Sequence, residues 1–350
     1  MVRLERATTT FDAEGEREDQ SVDRTGQPVF DPDRQAWVVD RYADVVAAFR
    51  CPHLVPGGAR AEPRPSLPDP AHSRRVRVET RAALSPEQLR IWRTHLCGVA
   101  NSSVNKLPAG APVDLVAAYA QPVCLAFAAM VTGIDLKDGD ALFAIAIPIS
   151  ESAADPFDPV LKERAREATT QLRPWFSSGP ELLRDSGFVA LALTLPRLLA
   201  NAWAALLESR ASWPELHRNP ALLEYGLEEL LRHAALPAVL FRTATQDVEL
   251  NGRHIRRGER MVLEIETANH DPDHFDRANE VDLARRGNQH LTFGVGPHSC
   301  VGAGLIRMAA LAITAPLLQR FSAADVAGKV EWAGGPGFRF CKSLWVLLHE

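Results

Sequence analysis

The segment HLTFGVGPHSCVGAGLIRMAALAITAPLL gathers Phe293, Gly294, Gly296, Cys300, Gly302 and Gly304 ahead of a long apolar helix-like run. Glycines let a backbone bend tightly, so such a loop can bring peptide N–H groups round one sulfur at the start of a helix. Those donors and the helix dipole both favour the anion. A thiolate held that way is a soft, electron-donating ligand suited to iron, and Phe293 is placed to shield it from water. A glycine-rich turn from strand into helix also serves nucleotide phosphates, so by themselves these residues leave both ligands open.

The other cysteines, Cys51, Cys97, Cys124 and Cys341, make an odd total of five without the close pairing of a zinc site or the density of a disulfide scaffold. Most have apolar flanks, as in PVCLAF, and read as reduced core residues. A second arrangement is Glu229-Leu230-Leu231-Arg232, whose i, i+3 spacing puts two opposite charges on one helix face. Taken alone it is an ordinary surface pair of little energetic weight.

The elements that must position these groups are mostly helical. PVFDPDRQAWVVD alternates like two strands about a DPD turn, and RYADVVAAF follows with helical spacing. Prolines and glycines crowd residues 51–70, which read as an exposed loop. Residues 71–106 and 114–133 read as helices, with Asp114 placed to cap the second. Between Gly133 and Pro180, Pro148, Pro156, Pro159 and Pro174 break the pattern into short pieces. FVALALTLPRLLANAWAALLESR is apolar nearly all round and predicts a buried central helix kinked at Pro196. NPALLEYGLEELLRHAAL predicts another helix, and VELNGRHIRRGERMVLEIE predicts a hairpin and a third strand. The expected fold class is mainly α with a minor β region. Residues 1–25 read as a loose N-terminal arm and 26–350 as a single domain.

The charge is −5, from 39 basic and 44 acidic side chains in mixed order, so the totals show no basic face for nucleic acid. No signal peptide or long charge-free apolar run is visible, which predicts a cytoplasmic protein without a membrane partner.

F-G-V-G-P-H-S-C-V-G resembles the cysteine loop of the cytochrome P450 family. The resemblance implies a P450 fold, heme b (iron protoporphyrin IX) as cofactor, Cys300 as thiolate ligand of the iron, and His298 as a partner for a heme propionate. Leu305 and Arg307 fit the same pattern, whereas Ala309 stands where an acidic residue is usual. Glu229 and Arg232 resemble the family's Glu-x-x-Arg brace beneath the loop, and Arg242 resembles the arginine that reaches a propionate from the following strand. ANHDPDHF resembles the family's ANRDP segment with His270 in place of the arginine. A basic residue usually completes a triad with the brace. Glu280 stands at the position expected for it, which predicts a weakened brace. DPAHSRRVR resembles the segment in which a histidine and an arginine four residues later meet propionates. His72 fits and Val76 does not, leaving Arg75 or Arg77 as substitutes.

Two long lid helices are usual between residues 135 and 185, and the sequence there has room for little of them, predicting a reduced distal lid and an open pocket. The family's central helix normally presents an acid followed by threonine, which deliver protons to bound oxygen. Here Thr194, Arg197 and Asn201 are the candidates, in no fixed register, and no register gives an acid followed by an alcohol. Three readings follow. The first is an oxidative tailoring enzyme taking electrons from a ferredoxin-type partner and acting on a small-molecule or carrier-tethered, natural-product-like substrate. The second keeps the heme but uses peroxide or carries out a reaction other than monooxygenation. The third is a non-catalytic helper that activates a partner such as a glycosyltransferase.

Overall fold

Alternation in the first described segment builds a short hairpin, β1 (Val29–Asp31) and β2 (Ala36–Val39), turned by the Asp31 carboxylate, which accepts from the Asp33 and Arg34 amides. The computed structural model describes residues 27–56, 70–176, 180 and 183–350. The arm expected over residues 1–25 and most of the loop expected over 51–70 lie outside them.

Helix α1 (Tyr42–Arg50) and strand β3 (Leu54–Pro56) follow the hairpin. The run expected over 71–106 is two helices, α2 (Pro70–Ala83) and α3 (Pro86–Val104). Ser85 separates them by accepting from the Gln88 amide as an N-cap, with Pro86 in the first turn. Strand β4 (Pro112–Asp114) leads into a wide helical turn at Val116–Ala120 and then α4 (Gln121–Thr132). Asp114 accepts from the Val116 amide at 2.9 Å, as expected of a cap.

The region expected as short pieces holds α5 (Gly139–Ala154) and α6 (Pro159–Leu172), packed on each other. Pro148 is accommodated inside α5. Pro159 occupies the first turn of α6, where a missing N–H costs nothing, and Asp158 caps that turn through the Val160 and Leu161 amides. The distal lid is therefore two helices of 16 and 14 residues rather than fragments.

Central helix α7 (Leu195–Glu208) is buried along almost its whole length. A π-helical stretch at Ala190–Thr194 runs straight into it, closed by the Leu195 amide bonding to Ala190 five residues back. Pro196 lacks the N–H for an α-helical bond and its ring crowds the carbonyl four residues earlier, and where a kink is expected the chain has this widened turn. Pro122 follows the Val116–Ala120 turn in the same way, with Gln121 bonding to Val116. Ala190–Glu208 is the one described helix long and apolar enough to cross a membrane, and it forms the interior of the main core.

Helices α8 (Ser212–Arg218) and α9 (Leu223–His233) then precede β5 (Val239–Ala244), β6 (Val248–Leu250), β7 (Arg253–Ile255) and β8 (Arg260–Glu264). The β6–β7 turn places Asn251 and Gly252 at positive φ, the two-residue turn that suits a twisted hairpin. The main sheet has the order β1-β2-β8-β5-β3 and shares a second, smaller core with α1. The short helix α10 (Ile265–Asn269), the long α11 (Ala303–Arg320), and strands β9 (Ala323–Val326), β10 (Glu331–Gly334), β11 (Arg339–Ser343) and β12 (Trp345–His349) complete the chain. The fold is mainly helical with a minor β part.

Candidate functional site

The cysteine loop leaves the α10 region and ends at the first turn of α11. Its backbone closes on itself: the Gly294 amide donates to Leu291 at 2.8 Å, Ser299 to Gly296 at 3.2 Å and Cys300 to Phe293 at 2.8 Å. Gly294 and Gly296 lie at φ +62° and +77°. At Gly296 a Cβ would come within 2.7 Å of the Phe49 carbonyl oxygen, so glycine is required both by conformation and by the end of α1 packed beneath it. Cys300 is the exposed cysteine of the five, whereas Cys124 and Cys341 are buried and Cys51 and Cys97 half-buried. Burial by the surrounding protein pushes the Cys300 thiol up, against the Gly302 amide donating to it and the nearby charges of Arg77 and Arg307. The sulfur thus sits in a recess open on one side, with one peptide donor and two cations directed at its anionic form.

Other cationic groups gather at the same place. Arg77 on α2 donates through Nη2 to the Ser299 carbonyl at 2.6 Å. The alternative, Arg75, has a side chain 66% exposed and reaches His72 Nδ1 at 2.9 Å and Glu79 at 3.8 Å. His298 has a lowered pKa, first through burial and then through the charges of Arg242 and Arg77. Arg242 is buried on β5, lies over the Phe49 ring at 5.0 Å, and donates through Nη1 to its own neighbour's carbonyl. Burial alone brings its pKa down to about 10, its Nε has no partner, and among the described residues no carboxylate pairs with it. Three basic side chains converging on an exposed cysteine, one of them buried and partly unsatisfied, fit an anionic group such as the propionates of a heme whose iron takes the sulfur.

The brace is stronger than its spacing suggests. Glu229 and Arg232 are fully buried rather than a surface pair. Glu229 Oε1 accepts from Arg232 Nη2 at 2.8 Å and the Asp282 amide at 2.9 Å. Its Oε2 accepts from Arg232 Nε at 2.9 Å, Arg285 Nε at 2.9 Å and Asn288 at 2.8 Å. Burial would raise the Glu229 pKa, but these donors outweigh it and the net direction is down. Arg232 in turn donates to the carbonyls of Asn269, Ala278 and Glu280. The expectation of a weakened brace is corrected here. Glu280 contributes only its backbone to Arg232 and turns its carboxylate to Arg277, while Arg285, five residues on, completes the triad.

A second carboxylate escaped sequence reasoning. Glu228, next along α9, takes Arg307 of α11 at 2.6 and 2.9 Å and His290 at 3.1 Å, and Arg307 lies over the Phe293 ring at 4.5 Å. Adjacent carboxylates on α9 therefore hold the segments before and after the cysteine. Asn269 adds a link within the first, accepting from the Leu291 amide at 2.7 Å and donating to Thr292 at 3.2 Å.

On the central helix the three candidates have different surroundings. Arg197 donates to Ser150 of the lid helix α5 at 2.8 Å and stacks on Phe340 at 4.2 Å. Asn201 is buried and spends both ends of its amide on β11, donating to the Arg339 carbonyl at 2.9 Å and accepting from the Cys341 amide at 2.8 Å. Thr194 is half-buried at the end of the π-helical stretch. An open groove of about 880 Å³ beside Asn201, lined also by His233, His270, Trp332 and Arg339, includes no residue of the cysteine loop.

Comparison with known proteins agrees with this architecture. The family model described as Cytochrome P450 matches residues 214–331, which hold the brace and the cysteine loop. The chain is 27% identical to Cytochrome P450(MEG) of Priestia megaterium, over 72% of this chain and 70% of that one. It is 29% identical to nocardicin C N-oxygenase of Nocardia uniformis subsp. tsuyamanensis, over 85% of this chain and 86% of the relative. The crystal structure of P450BioI in complex with a hexadec-9Z-enoic acid ligated acyl carrier protein superposes with a TM-score of 0.80 at 21% identity, covering 90% of this chain and 92% of that one. With the loop, brace and overall fold in agreement, the chain belongs to the cytochrome P450 superfamily, as a heme b oxidoreductase of that type.

Proposed function

We propose that Cys300 would hold the heme iron through its sulfur, with Arg242 and His298 toward the propionates, and that the enzyme acts on a natural-product-like substrate by chemistry other than standard monooxygenation. The Gly302 amide stabilises the sulfur anion, and Phe293, half-buried against Arg307, screens it from water. Bound heme supplies a redox-active iron. The intact loop and its cationic surroundings favour this reading over a helper protein without a cofactor.

The observation that carries the chemistry is the composition of the central helix. From Phe188 to Leu207 there is no aspartate or glutamate, and Thr194 is the sole hydroxyl. Arg197 and Asn201 are occupied by α5 and β11, so neither stands in for the acid. Thr194 Oγ1 can hold a proton donor in place, but between Phe188 and Leu207 there is no acid to resupply it. Peroxide, which brings its own protons, or a rearrangement, coupling or dehydration removes that demand.

Nocardicin C N-oxygenase acts on a natural product by name, and the complex with an acylated carrier protein gives precedent within the fold for a carrier-tethered substrate. A ferredoxin-type donor is the matching electron source if reduction is used. Purified protein should give the thiolate-type Soret band when reduced under carbon monoxide, and Cys300→Ala should abolish it while keeping most of the helical circular dichroism. An unchanged spectrum in the variant defeats the ligand assignment. Turnover with a reductase system but none with peroxide defeats the peroxide variant of the proposal.

A further inference from the structure

The arginine that the family pattern leads one to seek on α2 stands four residues after His72, and this chain has a buried valine there, Val76. Arg77 is the next residue, rotated about 100° round the helix, so it presents its guanidinium to a different neighbour. That neighbour is the cysteine loop itself, through the 2.6 Å bond to the Ser299 carbonyl, one residue before the sulfur. Arg77 is half-buried, and among the described residues no carboxylate pairs with it. The other charge near it on the same helix is Arg81, of like sign. Its charge is therefore only partly screened by water, and among the described residues the group able to become an anion whose charge acts on it is Cys300.

We infer that Arg77 is a positioning residue that both anchors the cysteine loop and withdraws electron density from the axial sulfur. The inference rests on Cys300 being the iron ligand. A cation fixed beside a metal-bound thiolate lowers the charge the sulfur donates, stabilises the reduced state of the metal and weakens the metal–sulfur bond. The sulfur of this enzyme is thus a weaker donor than its peptide environment alone would make it.

The test uses full-length, heme-loaded protein and two readouts, the ferric–ferrous reduction potential by spectroelectrochemistry and the Fe–S stretching frequency by resonance Raman. Arg77→Gln keeps a donor toward Ser299 and removes the charge. It should shift the equilibrium about tenfold toward ferric, ~59 mV for one electron, and raise the Fe–S frequency. Arg77→Lys keeps the charge and should stay near wild type in both, as should Arg75→Gln on the exposed side of α2. A heme-loaded Arg77→Gln protein with both readouts unchanged overturns the inference. A fall in potential without any change in Fe–S frequency also overturns it, because it would place the charge on the propionates alone. If Arg77→Gln fails to load heme, Arg77→Lys decides: an unchanged potential and frequency uphold the role of the charge, and a fall matching loss of charge defeats it. A wild-type protein that lacks the thiolate-type carbonyl spectrum would instead defeat the underlying ligand assignment, a failure distinct from those above.

Discussion

The two sides of the candidate site are built to different standards. Beneath the cysteine, Glu229 gathers donors from four residues and its neighbour Glu228 gathers donors from two more, so that the loop is held before and after the sulfur. On the central helix, two of the three candidate polar side chains are spent on packing, Arg197 against α5 and Asn201 against β11, which leaves Thr194. The difference separates two demands: the cysteine loop is held by a rigid, over-determined set of bonds, whereas the central helix packs into the core with no acid between Phe188 and Leu207. The proximal half should respond to mutation through stability and heme content, and the central helix through the nature of the oxidant.

The sharpest way to break that contrast is at Glu229. Glu229→Gln keeps the shape but leaves Arg232, fully buried, with no anion. Removing one partner of a buried pair typically costs about 3–5 kcal/mol, because the remaining charge stays desolvated. The variant should unfold at lower denaturant concentration by roughly that amount and load much less heme. Chemical denaturation with absorbance at the Soret band measures both, and a variant of normal stability and heme content would show that the brace is dispensable.

How far this contrast can be read from residues alone differs across the chain for physical reasons. The cysteine loop is legible because its needs are local: positive φ at Gly294 and Gly296 and a contact with Phe49 that no Cβ tolerates leave glycine as the solution. The brace is half legible. Glu229 and Arg232 sit one helical turn apart, but Arg285 joins them from 56 residues away, a distance over which periodicity carries no information. The sequence signal for Arg285 is the basic pair closing NEVDLARR, which does not say which arginine turns inward. The short pieces expected between Gly133 and Pro180 fail because proline reads as a breaker in sequence, whereas Pro159 begins α6 and Pro148 fits within α5. That Pro196 disturbs the helix is legible, and the form this takes, a π-helical stretch ending at Thr194, goes with the same missing N–H.

The second carboxylate gives a milder test of the proximal half, made with pH. Burial would raise the pKa of Glu228, but the hydrogen bonds and charges of His290 and Arg307 bring it down to about 2 from 4.5. A folded-state value below the unfolded one means that the stabilisation is fully present above pH 4.5 and drains away as the pH falls toward about 2. Wild type should therefore exceed Glu228→Gln in thermal stability at pH 6, and the gap should close as the solution is acidified through that window. Scans of melting temperature between pH 6 and pH 3 measure it. A gap that stays constant or widens in acid would mean that the ion pair with Arg307 contributes nothing.

The smallest effect belongs to the central helix, and its smallness is what makes it informative. Thr194 is the sole hydroxyl between Phe188 and Leu207 and lies at the end of the π-helical stretch rather than in a packed α-turn. Thr194→Val conserves its β-branched shape and removes only Oγ1, so stability should change by no more than about 1 kcal/mol. If the enzyme takes peroxide, both protons arrive with the oxidant and the variant should keep peroxide-driven turnover within about threefold of wild type, under ~1 kcal/mol in barrier. If protons must instead pass through this hydroxyl to reduced oxygen, the same variant should lose about a hundredfold or more with a reductase while consuming reductant without product. Measuring the two rates on one preparation separates these cases, and a large loss with peroxide would mean that Thr194 does more than the bare helix around it implies.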